Sequence, residues 1–179
     1  MPDAPAEPLT IRPSDAGDVP AIHRIYAHHV RHGLASFEIE PPDEDEVARR
    51  RRAVVAAGYP YLVAERAGDI VGYAYAGPYR SRPGYRFTAE NSVYVRDECR
   101  GQGIGKALLA ALIPLCEARG LRQLVAVIGD SAHLASIELH RRAGFEMIGI
   151  IRSCGYKFDR WVDTVLMQRP LGPGDTTPP

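Results

Sequence analysis

The chain reads as an α/β protein of the α+β kind, a mixed sheet with helices packed on it, and three observations carry that prediction. Strand-like and helix-like periods alternate in the order β-α-α-β-β-β-α-β-α-β-β. Residues 92–112, SVYVRDECRGQGIGKALLAAL, switch from a strand to a glycine-rich turn and then to an amphipathic helix. Residues 123–128, QLVAVI, are apolar at nearly every position, the pattern of a strand buried on both faces.

The elements follow in chain order. Residues 1–8 are a proline-rich leader expected to lack structure, and residues 171–179 are a matching tail, leaving residues 9–170 as one domain. Residues 9–12 make a short first strand. Asp18 is placed to cap a helix with Pro20 in its first turn and Val19, Ile22, Ile25, Tyr26 and Val30 along it; Gly33 ends it. A loop, SFEIEPP, follows, and DEDE opens a second helix. Its four arginines, Arg49 to Arg52, come after acids at helical spacing, Asp45 with Arg49 and Glu46 with Arg50, so they read as a solvated face.

Residues 61–66 and 70–76 form a hairpin turning at Ala67, Gly68 and Asp69. A polar loop over residues 77–86 leads to a strand over 88–95. In the next helix Ile104, Ala107, Leu108, Ala111, Leu112 and Leu115 share one face, and Pro114 is expected to kink or shorten it. A helix over 131–143 stops at Gly144, and strands over 145–153 and 161–168 close the sheet.

Composition narrows the function classes. Lys plus Arg equals Asp plus Glu, 22 each, so no net field recruits nucleic acid or an acidic membrane. Cys99, Cys116 and Cys154 lie far apart without a C-x-x-C pair, which suits a reducing cytoplasm rather than a disulfide framework. The chain has neither an apolar run of membrane-spanning length nor a signal-peptide pattern, so a cytoplasmic protein is expected.

The turn in residues 96–105 has the makings of an anion cradle. Glycines free the backbone to aim N–H groups outward, and the following helix adds its partial positive charge, which suits a phosphate or pyrophosphate. A P-loop would need glycine where Arg100 stands and Ser or Thr where Ala107 stands. A dinucleotide fingerprint fails as well, because its third glycine falls on Lys106 or Leu108.

Arg100-Gly101-Gln102-Gly103-Ile104-Gly105 does resemble the pyrophosphate loop of the GNAT superfamily of N-acetyltransferases. The words SFEIEPP, GYAYAGPYRSRPGYRFTAENSVYV, AVIGDS, SIELHRRAGF and GYKFDRWVD are similar to those of its phosphinothricin and methionine-sulfoximine N-acetyltransferases. The resemblance covers about residues 9–170. It implies a GNAT fold, a mostly antiparallel sheet splayed in the middle with helices on both faces. It also implies acetyl-CoA as acetyl donor, no metal, and a homodimer.

Residue by residue, the resemblance gives Arg100, Gly101, Gln102, Gly103, Ile104, Gly105 and Lys106 to the pyrophosphate. It gives the backbone of Val93, Tyr94 and Val95 to the pantetheine arm and thioester carbonyl, and Ser136 to the cofactor as well. Relatives read GDSANAAS where this chain has GDSAHLAS, so His133 stands where an asparagine contacts the cofactor; imidazole can still donate one hydrogen bond. Glu90 matches the general base and His140 a histidine near the thioester. A base is useful, since an α-amino group of pKa near 8 is only about a tenth neutral at pH 7. Tyr156 and Trp161 are candidates to cover the pantetheine or protonate the leaving thiolate. Cys154 has no base beside it in sequence, so direct transfer is expected.

For the acceptor, Arg80 and Arg82, with Tyr85 beside them, suit bidentate capture of carboxylate, phosphinate or sulfonyl oxygens. Phe37 matches a pocket residue of the resembling enzymes. The expected substrate is a small anionic amino acid such as phosphinothricin, methionine sulfoximine or methionine sulfone. Another amine, such as a protein N-terminus, and a non-catalytic acyl-CoA-binding module remain open. His28 and His32 share a helical face with His29 beside them, but no third ligand lies near, so core or substrate-side roles outrank a metal site.

Overall fold

The computed structural model describes residues 7–179, so most of the leader lies outside the described residues. One seven-stranded sheet runs through it in the order β1-β2-β3-β4-β5-β7-β6. Its strands are β1 (Thr10–Pro13), β2 (Tyr61–Arg66), β3 (Asp69–Pro78), β4 (Thr88–Val95), β5 (Gln123–Gly129), β6 (Glu146–Lys157) and β7 (Arg160–Pro170). Every neighbouring pair is antiparallel except β4 and β5.

Helices cover both faces. On one face α1 (Val19–His32) and α2 (Glu44–Ala56) bury Val19, Ile22, Ile25 and Val47 against Tyr61, Val63 and Tyr73. On the other, α3 (Ile104–Ala118) and α4 (Leu134–Arg142) enclose the larger core, with Leu108, Leu112, Leu124 and Val165 fully buried. Apolar residues of β2 and β3 alternate between these two clusters, as a strand buried on both faces requires.

Several local expectations shift. Asp18 makes no side-chain cap on α1; its carboxylate takes both Nη groups of Arg12 at 2.8 Å, and Asp15 caps the short turn ahead by accepting from Gly17 at 2.7 Å. In α2, Glu46 pairs with both Arg49 and Arg50, but Arg51 is buried and donates to Ser14 of the β1–α1 connection. A wholly solvated arginine face is therefore corrected at that position.

Helix α3 buries Leu109, Ile113 and Cys116 rather than Leu115, which is exposed; the sheet takes a stripe rotated from the one the spacing suggested. It runs on past Pro114 to Ala118, so the proline does not shorten it. Strand β6 extends four residues beyond the expected end at Ser153. A bulge with Ser153 at φ 49° allows this, held by the Ser153 N–H donating to Asp163 at 2.8 Å. In residues 171–179 Leu171 is fully buried, and the Arg122 guanidinium donates to the Pro178 carbonyl at 2.9 Å.

Candidate active site

The site begins where β4 and β5 part. Their ladder pairs Thr88 with Gln123 through Asn91 with Ala126 and stops there. β5 continues along β7 as far as Gly129, while Ser92 to Val95 keep only β3. One edge of β4 thus offers backbone N–H and C=O groups to something other than a strand. At the fork lies a small cavity of about 60 Å³, bordered by Asn91, Ser92, Val127 and His140.

The fork opens onto a cleft of about 820 Å³, in the size range of ligand sites. Its floor is the turn before α3. Gly101 and Gly103 have φ of +76° and +78°, conformations that glycine alone adopts freely, and no atom lies where their Cβ would point. They bring the backbone to the N-terminus of α3, whose first N–H groups lack helical partners. Arg100 and Lys106 flank this end. The floor fits a pyrophosphate, and the unpaired edge of β4 fits an amide-bearing chain such as pantetheine.

Most of the expected cofactor residues meet here: Val93, Tyr94, Val95, Arg100, Gly101, Gly103, Ile104, Gly105, Lys106, His133 and Ser136 all border the cleft. Gln102 does not. Its side chain donates to the Glu98 carbonyl at 3.3 Å and accepts from Arg66, on the outer side of the turn. His133 borders both cavities, and burial pulls its pKa below the usual histidine value, with Arg100 adding to the effect.

Glu90 sits on β4 one residue before the ladder ends, on the face shared with Ser92 and Tyr94. Its cross-strand partner is Gly77, beside which a Cβ would meet open space, so nothing crowds the carboxylate from that side. Burial raises its pKa above the ordinary carboxylate value. His140 is on the other side of β4, buried, with Nδ1 2.8 Å from the Ser136 carbonyl and Nε2 2.9 Å from the Asn91 amide nitrogen.

The acceptor-side residues lie outside both cavities. Arg80 stacks over Tyr79 and Tyr85, with its guanidinium carbon 5.2 and 5.8 Å from the ring centroids. Arg82 stands at the N-cap position of the short turn holding Tyr85 without a side-chain hydrogen bond to it, and neither arginine has an ion-pair partner among the described residues. Their loop leaves β3 just after Gly77, the partner of Glu90, which keeps it at Glu90's end of the sheet.

Phe37 comes from the loop after α1, which is pinned across the fork. Lys157, buried, donates to the Gly33 and Ser36 carbonyls at 3.0 and 2.7 Å. The Phe37 ring lies on Gly155, where a Cβ would stand 2.7 Å from it, and the Leu34 carbonyl lies 1.9 Å from where a Gly129 Cβ would be. Two glycines therefore permit the loop's close approach.

Sequence reasoning missed part of the cleft. Ala35, Ala110, Pro114, Arg142 and Arg169 also border it. Pro114 was the visible signal: it cannot donate to the Ala110 carbonyl one turn earlier, and both residues stand on the cleft wall. His29 borders the cleft too, and its Nε2 donates to the Val95 carbonyl at 2.8 Å, so it serves the strand. Burial lowers its pKa.

Comparisons with known proteins agree with this geometry. The acetyltransferase (GNAT) domain family matches residues 11–166. A phosphinothricin N-acetyltransferase of Alcaligenes faecalis is 55% identical over 170 residues, covering 95% of this chain and 86% of that protein. An L-methionine sulfoximine/L-methionine sulfone acetyltransferase of Pseudomonas paraeruginosa is 43% identical, covering 94% of this chain and 98% of that protein. The crystal structure of a phosphinothricin acetyltransferase from Sinorhizobium meliloti in complex with acetyl-CoA superposes with a TM-score of 0.92 at 48% identity, covering 96% of this chain and 92% of that one. The chain belongs to the GNAT family of acetyltransferases.

Proposed function

We propose that the protein transfers acetyl from acetyl-CoA directly to the α-amino group of a small anionic amino acid of the phosphinothricin, methionine sulfoximine or methionine sulfone type. The observation that carries this reading is the parting of β4 from β5 beside Glu90, opening onto the glycine-built cradle. The relatives' activities point the same way. Acetyl-CoA supplies an activated thioester. The floor at Gly101 to Lys106 would hold its pyrophosphate, and Val93 to Val95 its pantetheine amides.

Glu90 takes one proton from the substrate ammonium. The freed nitrogen lone pair bonds to the acetyl carbonyl carbon, and the carbon–sulfur bond breaks with its electron pair leaving on sulfur. The nitrogen then sheds a second proton as the thiolate gains one, so the net products are the amide, the thiol and one proton. N–H groups on the parted edge of β4 would stabilise the carbonyl oxygen; one such donor is worth about 3–4 kcal/mol. Arg80 and Arg82, free of ion pairs, would clamp the substrate's anionic groups.

The arginines test the substrate class. Arg80→Ala or Arg82→Ala should raise KM for phosphinothricin or methionine sulfone and lower kcat/KM about ten- to a hundredfold, with acetyl-CoA affinity unchanged. Arg82→Lys should recover little, because an ammonium lacks the planar fork. Arg86, stacked on Phe87, is the control and should matter less. Normal kinetics in both alanine variants would remove the anionic clamp.

Two further features belong to this reading. The three cysteines are unpaired, which suits a reducing cytoplasm. The apolar edge strand β6 is suited to a second copy of the chain, making the enzyme a homodimer.

A further inference from the structure

Resting on the function proposed above, we infer that Asn91 is a positioning residue: it holds His140 as the neutral Nδ1–H tautomer with no free ring lone pair, so that Glu90 alone receives the amine's proton. The hydrogen bonds dictate this. A backbone carbonyl only accepts, so the 2.8 Å contact between Nδ1 and the Ser136 carbonyl requires the proton on Nδ1. In the neutral ring Nε2 is then an acceptor, and the Asn91 Nδ2 amide donates to it at 2.9 Å. Both nitrogens are spoken for, and the ring is only 4% exposed.

The surroundings favour the neutral form. The Phe145 ring meets the imidazole edge-on at 5.1 Å, and the adjoining β5 residues Ala126 and Ile128 carry no charge. Burial lowers the His140 pKa, the Ser136 carbonyl partly offsets this, and His133, the titratable group that faces it, opposes a second positive charge. On its own helix, Arg141 and Arg142 are exposed and both engage Glu138. Glu90 lies on the opposite face of β4 from Asn91.

Asn91 is not placed there for packing alone. It is 5% exposed, and its Oδ1 has no hydrogen-bond partner, an arrangement that costs stability. The amide spends one buried donor on His140 and leaves its acceptor unpaired at the fork. The result ties α4, through Ser136 and His140, to the last residue of β4 that pairs with β5.

Nitrogen-15 NMR of the full-length protein reads the tautomer directly. His140 should show a protonated Nδ1 and an unprotonated Nε2 through the neutral pH range, titrating only below the ordinary histidine value. In Asn91→Asp the side chain can only accept, so His140 should acquire a proton on Nε2 and become an imidazolium in that range. Kinetics then separate the two candidate bases. Glu90→Gln should remove the acidic limb of the kcat/KM profile, whereas His140→Gln should keep it and lose less than about tenfold in rate. Titration of wild-type His140 with a pKa near 6.5, or the Nε2–H tautomer, would overturn the proposal. So would loss of the acidic limb in His140→Gln with its retention in Glu90→Gln. The NMR result is independent of which amine is acetylated, so failure of the substrate reading would leave it standing.

Discussion

At the residue scale the protein keeps a carboxylate where burial disfavours its charge. Among the described residues Glu90 has no hydrogen-bond partner that offsets its desolvation, and its pKa is raised. A raised carboxyl pKa means that the folded state binds the proton more tightly than the unfolded one. The associated stability is present below the ordinary carboxylate value and is lost as pH rises through the raised value. Above the raised value the ionised Glu90 is therefore a cost to folding, and in the proposed reaction it is the form that can take up the amine's proton. Glu90→Gln should lower activity at pH 7 at least about tenfold, with partial recovery as pH rises and more amine is neutral. The same variant should melt higher than wild type at about pH 8, the difference shrinking as pH falls. A variant with wild-type rates at every pH would remove Glu90 as the base.

At the element scale the strand–turn–helix of residues 92–112 was legible because its signals are local: a VYV strand, glycines at Gly101 and Gly103, then an apolar stripe. The structure makes those two glycines left-handed. Gly103→Asp tests the cradle. Aspartate tolerates that backbone better than most residues, favours a helix N-terminus and meets no neighbouring atom, so the fold should survive. Its carboxylate would repel a pyrophosphate, and calorimetry should find acetyl-CoA binding abolished; unchanged affinity would remove the pyrophosphate assignment. What was not legible depends on distant partners. The end of β6 hangs on Asp163 of β7, and the buried stripe of α3 was chosen by the sheet rather than by its own period. Arg142 and Arg169 reach the cleft from elements far apart in sequence. The glycines Gly129 and Gly155 gained meaning only when the loop carrying Leu34 and Phe37 was seen lying on them.

At the scale of the whole molecule, β6 leaves a long apolar edge. Met147, Ile148 and Ile151 are each about half exposed, at 50, 55 and 49%. An open edge of that kind invites pairing, and a second copy of the chain would cover it. Sedimentation should give twice the chain mass, and Ile148→Glu with Ile151→Glu should give monomers; a monomeric wild type would contradict the dimer. The order of the strands, by contrast, serves the chemistry. One parallel pair, β4 with β5, sits within an otherwise antiparallel sheet, and it is this pair that opens. Acetyl transfer to a small amino acid at that opening is the central expectation. The most direct measurement is thiol release from acetyl-CoA by the wild-type protein with a panel of amines, followed by identification of the acetylated product. Phosphinothricin, methionine sulfoximine and methionine sulfone should release thiol and yield the α-N-acetyl compounds, while a peptide with a free N-terminus should not. Release with the peptide alone, or with no amine in the panel, would contradict it.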